Sequence, residues 1–146
     1  MFRNYTEKAQ RVIYFSRLAV SEFGGTSIET EHLLLGLLQE DETLVARFLP
    51  SAVTLAILKK QIKERIMAGE KISESIEIPL SSESQKVLSY AADEAKKMSH
   101  EYVDTRHLLI GLLRRKNSVA EEILRANAIV LRNVRQELGS SVEGRK

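Results

Sequence analysis

Residues 28–38, Ile28-Glu29-Thr30-Glu31-His32-Leu33-Leu34-Leu35-Gly36-Leu37-Leu38, return almost unchanged as residues 103–113, Val103-Asp104-Thr105-Arg106-His107-Leu108-Leu109-Ile110-Gly111-Leu112-Leu113. The chain is a tandem repeat. In each copy a short polar lead-in, with Thr30 or Thr105 placed to cap, runs into a helix too apolar for a one-faced surface helix, so burial on most sides is expected. Each copy is then the core of its own half. Gly36 and Gly111 fall mid-helix, where glycine costs about 1 kcal/mol relative to alanine unless another helix backbone approaches closely. The first helix of each repeat is expected to cross there.

The 146 residues suffice for one domain with a real core and leave little room for a catalytic module beside it. Apolar content near the average, few aromatics and many charges describe a soluble helical protein. No apolar run approaches the roughly 20 residues needed to span a bilayer. The opening Met1-Phe2-Arg3-Asn4-Tyr5 lacks the apolar segment of a signal peptide and the chain has no cysteine, so the expected setting is cytoplasmic, without disulfides. A net charge of +2 is too slight to argue for nucleic acid or membrane as partner.

Outward from the repeated stretch, Ala9, Val12, Ile13, Ser16, Ala19, Val20 and Phe23 follow the three-and-four spacing of a helix over 6–23, capped by Thr6 and stopped by Gly24-Gly25. The repeated helix should fray near Glu40-Asp41-Glu42. Thr43 can cap a short third helix carrying Leu44, Val45, Phe48 and Leu49, which Pro50 ends, and a fourth is expected from about Val53 to Ala68, closed by Gly69. Residues 70–79 alternate like a strand with no second strand to pair with, and read as an extended connector packing its isoleucines. The pattern then restarts. Ser81 or Ser82 caps a helix carrying Val87, Leu88, Ala91, Ala92, Ala95 and Met98, followed by the second repeated helix, a short one through Val119, Ile123 and Leu124, and a last one carrying Leu131, Val134 and Leu138. Gly139 is expected to end the fold.

Placing His32 on His107 sets an offset of 75 residues, which also pairs Thr6 with Ser81 and Ile28 with Val103. The predicted fold is all-α: two tandem four-helix repeats, about 1–69 and about 80–139, joined by the connector at about 70–79 and followed by a polar tail, 140–146. Two such units can bury a common apolar surface, which makes the chain one domain of eight helices with a pseudo-twofold axis.

Tyr5-Thr6-Glu7-Lys8-Ala9 at the start, with Thr30-Glu31-His32-Leu33-Leu34-Leu35-Gly36-Leu37 repeated after 75 residues, resembles the N-terminal domain of Clp ATPases, most closely the ClpC type. The resemblance covers nearly the whole chain. It implies a double four-helix repeat ahead of the ATPase rings, docking protein substrates and adaptor proteins for unfolding and degradation. It also implies a ligand: in ClpC-type domains the acidic residue of each T-E-H motif helps to hold phosphorylated arginine. A carboxylate suits a guanidinium and the N–H groups of a helix start suit a phosphate. Here Glu31 fits the first site, with Thr6 at the neighbouring helix start as the phosphate contact. The second site, Arg106 with Ser81, is degenerate, because a cation stands where the acid should be. At most one phosphoarginine site is expected, in the first half.

Simpler readings stand beside these. An acid in the first helical turn complements the helix dipole, worth about 0.3–1 kcal/mol. Arg106 reads as a solvated side chain that Asp104 could partner. His32 and His107 read as hydrogen-bonded structural histidines, since neither half offers a second histidine, cysteine or acid at metal-ligand spacing; no metal and no cofactor is expected. The basic run Arg114-Arg115-Lys116, with Arg125, Arg132 and Arg135, raises a helical nucleic-acid binder as a rival, opposed by Glu121, Glu122 and Glu137 and by the scarcity of stacking aromatics. A solvated face is the preferred reading of that run. The chain has no G-x-x-x-x-G-K-[ST] loop, G-x-S-x-G elbow or cysteine nucleophile, so no catalysis of its own is expected. A freestanding accessory protein that regulates a Clp protease is the alternative to a domain of the unfoldase itself.

Overall fold

The computed structural model describes residues 2–66 and 78–143, the side chains of 140–143 excepted. Eight helices lie among the described residues: α1 (Glu7–Phe23), α2 (Thr30–Glu40), α3 (Glu42–Ala46), α4 (Leu55–Arg65), α5 (Ser82–Lys97), α6 (Thr105–Arg114), α7 (Val119–Ala126) and α8 (Leu131–Glu143). The repeated segments α2 and α6 form the centre. Thr30 and every residue from His32 to Leu38 are buried, as are Thr105 and every residue from His107 to Leu113.

Each first helix crosses its partner at the glycine. A methyl group on Gly36 would meet the carbonyl oxygen of Val12 and the hydroxyl of Ser16, and one on Gly111 would meet the carbonyl oxygen of Val87 and the backbone of Ala91. The contact of α1 with α2, and of α5 with α6, is therefore backbone against backbone, and glycine is the residue that allows it.

The two repeats are joined by exchange of their lead-ins. Tyr5 and Val103 form a parallel bridge, and so do Ile28 and Leu80. The bonds repeat under the same offset: Thr6 N–H donates to the Val103 carbonyl at 2.9 Å and Ser81 N–H to that of Ile28 at 3.0 Å, while Val103 N–H donates to the Asn4 carbonyl and Ile28 N–H to that of Pro79, both at 2.8 Å. Each repeat thus ties the start of its first helix to the lead-in of the other repeat's second helix. A local twofold relation follows, and α2 packs on α5 and α7 as α6 packs on α1 and α3.

The caps follow local chemistry. Thr6 and Ser81 cap α1 and α5, their hydroxyls accepting from the N–H of Ala9 and Ser84 at 3.1 Å. Thr30 and Thr105 do not cap. Glu29 and Asp104 take those positions, which frees the threonines one residue into each helix to bond across the repeats. Thr30 Oγ1 accepts from the N–H of Ala120 at 3.2 Å, and Thr105 Oγ1 donates to Asp41 at 2.8 Å. Asp41, rather than Thr43, precedes α3.

Both repeated helices use histidine to close the cap. Nδ1 of His32 accepts from Glu29 N–H at 2.9 Å, and Nδ1 of His107 from Asp104 N–H at 2.8 Å. With Nδ1 accepting, the neutral ring carries its proton on Nε2. His32 donates it to the carbonyl of Gly24 at 3.1 Å; His107 donates it to Nδ1 of His100 at 2.8 Å. The turn before α6 therefore does supply a second histidine, at the place that Gly25 holds in the first repeat. The pair is mutually hydrogen-bonded, and among the described residues no group of three metal-ligating side chains exists.

Other expectations shift. Helix α4 starts after Thr54, whose hydroxyl accepts from Ile57 N–H at 3.2 Å, and it ends at Arg65 because Ile66 turns extended and buries its side chain. Residues 67–77, which hold the expected end at Gly69 and most of the connector, lie outside the described residues; Ile78 is buried as expected. Gly139 does not end the fold. Its backbone stays helical within α8, so the first residues of the expected polar tail continue the helix. Gly24 and Gly25, with φ of 111° and 125°, do stop α1, in a conformation that side chains resist.

Two outcomes follow. Gly36→Ala and Gly111→Ala should each lower unfolding stability by about 1–3 kcal/mol in urea titrations, because the clash is with backbone, whereas Gly139→Ala, with open space around it, should gain up to about 1 kcal/mol. Burial, then electrostatic interaction with His100 and with the positive charge of Arg106, pushes the His107 imidazole down to about 4. The unfolded chain binds that proton near 6.5, so the contribution of neutral His107 is full above about pH 6.5 and is lost as the pH falls toward 4. Proton NMR should place its midpoint far below that of an exposed histidine.

Candidate functional site

The site that the sequence points to lies where the second helix of each repeat begins. At the start of α2, Glu31 is half-buried on the first turn. Burial pushes its carboxyl above the usual glutamate range and repulsion from Glu29 adds to this; its own backbone N–H and the Thr30 hydroxyl, at 3.4 Å, act the other way. Glu31 makes no ion pair among the described residues. Arg65 acts on it only through space and is itself engaged by Glu122 at 3.0 Å. Glu29 accepts from the Ser27 hydroxyl at 2.9 Å. The result is an under-solvated carboxylate at a positive helix end, without a cation of its own.

The exchanged lead-ins bear on the neighbours that the resemblance implied for Glu31. Ile28 bridges Leu80, so the helix start tied to that of α2 is that of α5 with Ser81, and Thr6 lies elsewhere. Ser84 Oγ, one turn into α5, donates to the Ile28 carbonyl at 2.8 Å, while Ser81 Oγ donates to Ser84 Oγ at 3.1 Å. Thr6 belongs instead with Arg106: its hydroxyl donates to Asp104 at 2.8 Å, across 98 residues of sequence. The helix starts are thus paired across the repeats, that of α2 with that of α5 and that of α6 with that of α1. The offset of 75 relates the pairs correctly but cannot say which member faces which. Asp104 spends itself on Thr6 and on its cap, and does not pair with Arg106, which makes no ion pair among the described residues.

The basic run is largely a solvated face, with Lys116, Arg125, Arg132 and Arg135 exposed, but most of its arginines are ion-paired. Arg114 donates to Asp93 at 2.7 Å and to Glu94 at 2.8 Å, with its guanidinium 4.4 Å above the ring of Tyr90. Arg135 donates to the same Glu94 oxygen at 2.8 Å, Arg115 pairs with Glu83, and Arg125 pairs with Glu121 at 2.8 Å. Glu94 is only 2% exposed, while Ala92, expected in the core, is exposed. The available signal was the Asp93-Glu94 pair on one turn of α5 facing arginines from two other helices. With their charges met by carboxylates, these arginines offer little to a phosphate backbone. No helix among the described residues is long and apolar enough to cross a membrane.

Comparison with known proteins agrees with this architecture. A family model, the Clp repeat (R) N-terminal domain, matches residues 4–127. The chain is 34% identical over 139 residues to the chaperone protein ClpB of Oceanobacillus iheyensis, and 34% identical over 149 residues to the negative regulator of genetic competence ClpC/MecB of Bacillus subtilis. These matches cover 94% and 99% of this chain but only 17% and 18% of those proteins, so the chain spans under a fifth of their length. Among solved structures, the N-terminal domain of the chaperone ClpD from Arabidopsis thaliana aligns over 99% of this chain and 96% of that one, with a TM-score of 0.72 at 22% identity. The Hsp104 N-terminal domain from Candida albicans aligns over 99% and 94%, with a TM-score of 0.76 at 16% identity, and at these identities both matches speak for the fold. With eight helices among the described residues in two stitched repeats and a family match over most of its length, the chain belongs to the Clp repeat N-terminal domain family.

Proposed function

We propose that this domain recognises proteins, substrates or the adaptors that deliver them, for a ClpC-like unfoldase in the cytoplasm, and that the start of α2 reads phosphoarginine. The observation that carries the ligand is Glu31: a half-buried carboxylate that makes no ion pair among the described residues, with Arg65 acting on it only through space. A guanidinium supplies a cation in a paired geometry. The α5 helix start, tied to that of α2 through Ile28 and Leu80, offers backbone N–H groups for the phosphate. Arg106 repels a guanidinium at the equivalent place in the second repeat, so the domain has one such site where two acids would have made two.

Calorimetric titration with free phosphoarginine tests this. One weak site is expected, weakened at least about tenfold by Glu31→Ala, which is about 1.4 kcal/mol, and left unchanged by Arg106→Ala. Ser81→Ala should weaken it and Thr6→Ala should not. Because the Glu31 carboxyl titrates above the usual range, affinity should decline on acidification sooner than for an exposed glutamate. Saturable binding that survives Glu31→Ala would refute the assignment.

A further inference from the structure

The two repeats differ most on their outer faces, where the second repeat closes itself and the first does not. Carried through the repeat, Asp93 and Glu94 correspond to Leu18 and Ala19, and Arg114 corresponds to Gln39. Leu58 and Ile62, buried on α4, match Val134 and Leu138, buried on α8, so Arg135 corresponds to Lys59. The space that the second repeat fills with Asp93, Glu94, Arg114 and Arg135 is, in the first, a groove of ≈ 360 Å³ between α1, α2 and α4. Phe15, Leu18, Ala19 and Leu35 line it, and Lys59 and Lys63 stand on its α4 side. Lys63 lies 5.0 Å from the centre of the Phe23 ring and has no carboxylate partner among the described residues; Lys59 has one exposed contact, to Glu42 at 3.5 Å. Lys60 continues the positive edge along α4, with Glu64 beside it and Glu22 on the α1 side.

We infer that this groove is a docking site for a segment of a partner protein in which a glutamate or aspartate sits beside apolar side chains. The second repeat shows the chemistry that completes the surface: the Glu94 carboxylate is held by Arg135 of the fourth helix and by Arg114, whose guanidinium covers the Tyr90 ring. In the first repeat Ala19 removes that carboxylate and the α4 lysines remain, so a partner's acid meets Lys59 and Lys63 while its apolar neighbours cover Leu18 and Phe15. The inference rests on the recognition reading above, but uses no residue at the start of α2.

The probe is a fluorescein-labelled synthetic peptide of alternating glutamate and phenylalanine or leucine, with a lysine-for-glutamate version as control, read by fluorescence anisotropy and by backbone amide chemical-shift mapping. The acidic peptide should bind at least about tenfold more tightly than the basic one, and shifts should centre on Phe15, Leu18, Leu35 and Lys63. Lys63→Glu, at an exposed position, should reverse the preference, and Ala19→Glu should abolish binding by restoring the carboxylate of the second repeat. Lys63→Glu keeps the test valid where Ala19→Glu disturbs folding. Equal binding of the two peptides, no binding at millimolar peptide, shifts centred away from α1 and α4, or self-association of the domain that Lys63→Glu removes, would each overturn the inference. Phosphoarginine titration of the same variants should be unchanged, which separates failure here from failure of the Glu31 site.

Discussion

The exchanged backbone pairing between the halves, Tyr5 with Val103 and Ile28 with Leu80, is the constraint on which the rest of the structure depends. Its hydrogen bonds satisfy lead-in amides and carbonyls that would otherwise be buried without partners, a cost of roughly 1–3 kcal/mol for each group. They also fix which helix starts become neighbours. Once α5 is tied to the lead-in of α2 and α1 to that of α6, the surroundings of each second-helix start are built from both repeats.

The same pairing explains why α2 and α6 tolerate being almost wholly apolar. Each is covered by its own first helix, crossing at Gly36 or Gly111, and by elements of the opposite repeat. An isolated repeat would leave one face of a leucine-rich helix in water, at about 25 cal/mol for each Å² exposed. The buried threonines complete the arrangement by bonding across the interface, where a valine of the same shape would leave the Ala120 N–H and Asp41 without those partners.

Duplication with divergence gives this domain its asymmetry. Where the first repeat has Glu31, the second has Arg106; where the first has Gly25 and a bond from His32 to a backbone carbonyl, the second has His100 and a ring-to-ring bond. Where the first leaves an apolar groove, the second closes the surface with Glu94 between two arginines. A pair of carboxylates and arginines so placed is worth having chiefly because each group is fully engaged, since a buried Glu94 without them would cost several kcal/mol. The second repeat thus reads as the more self-contained half, and the first as the half with unmet chemistry on its surface.

Much of this was legible in the residues. The repeat, the helix count, the burial of the Leu33–Leu38 and Leu108–Leu113 runs, the glycine crossings and the caps at Thr6 and Ser81 all follow from local pattern, because periodicity and capping act within a few residues of chain. Family membership, too, was carried by the twice-written T-x-H-L-L motif. What the tertiary structure alone decided is which equivalent partner meets which: Ser81 rather than Thr6 beside the α2 start, Thr30 and Thr105 turned inward to the other repeat, and Glu94 buried instead of Ala92. Those outcomes depend on bonds between groups far apart along the chain. A repeat offset is blind to them, since it is satisfied equally whether the lead-ins pair within a half or exchange between halves.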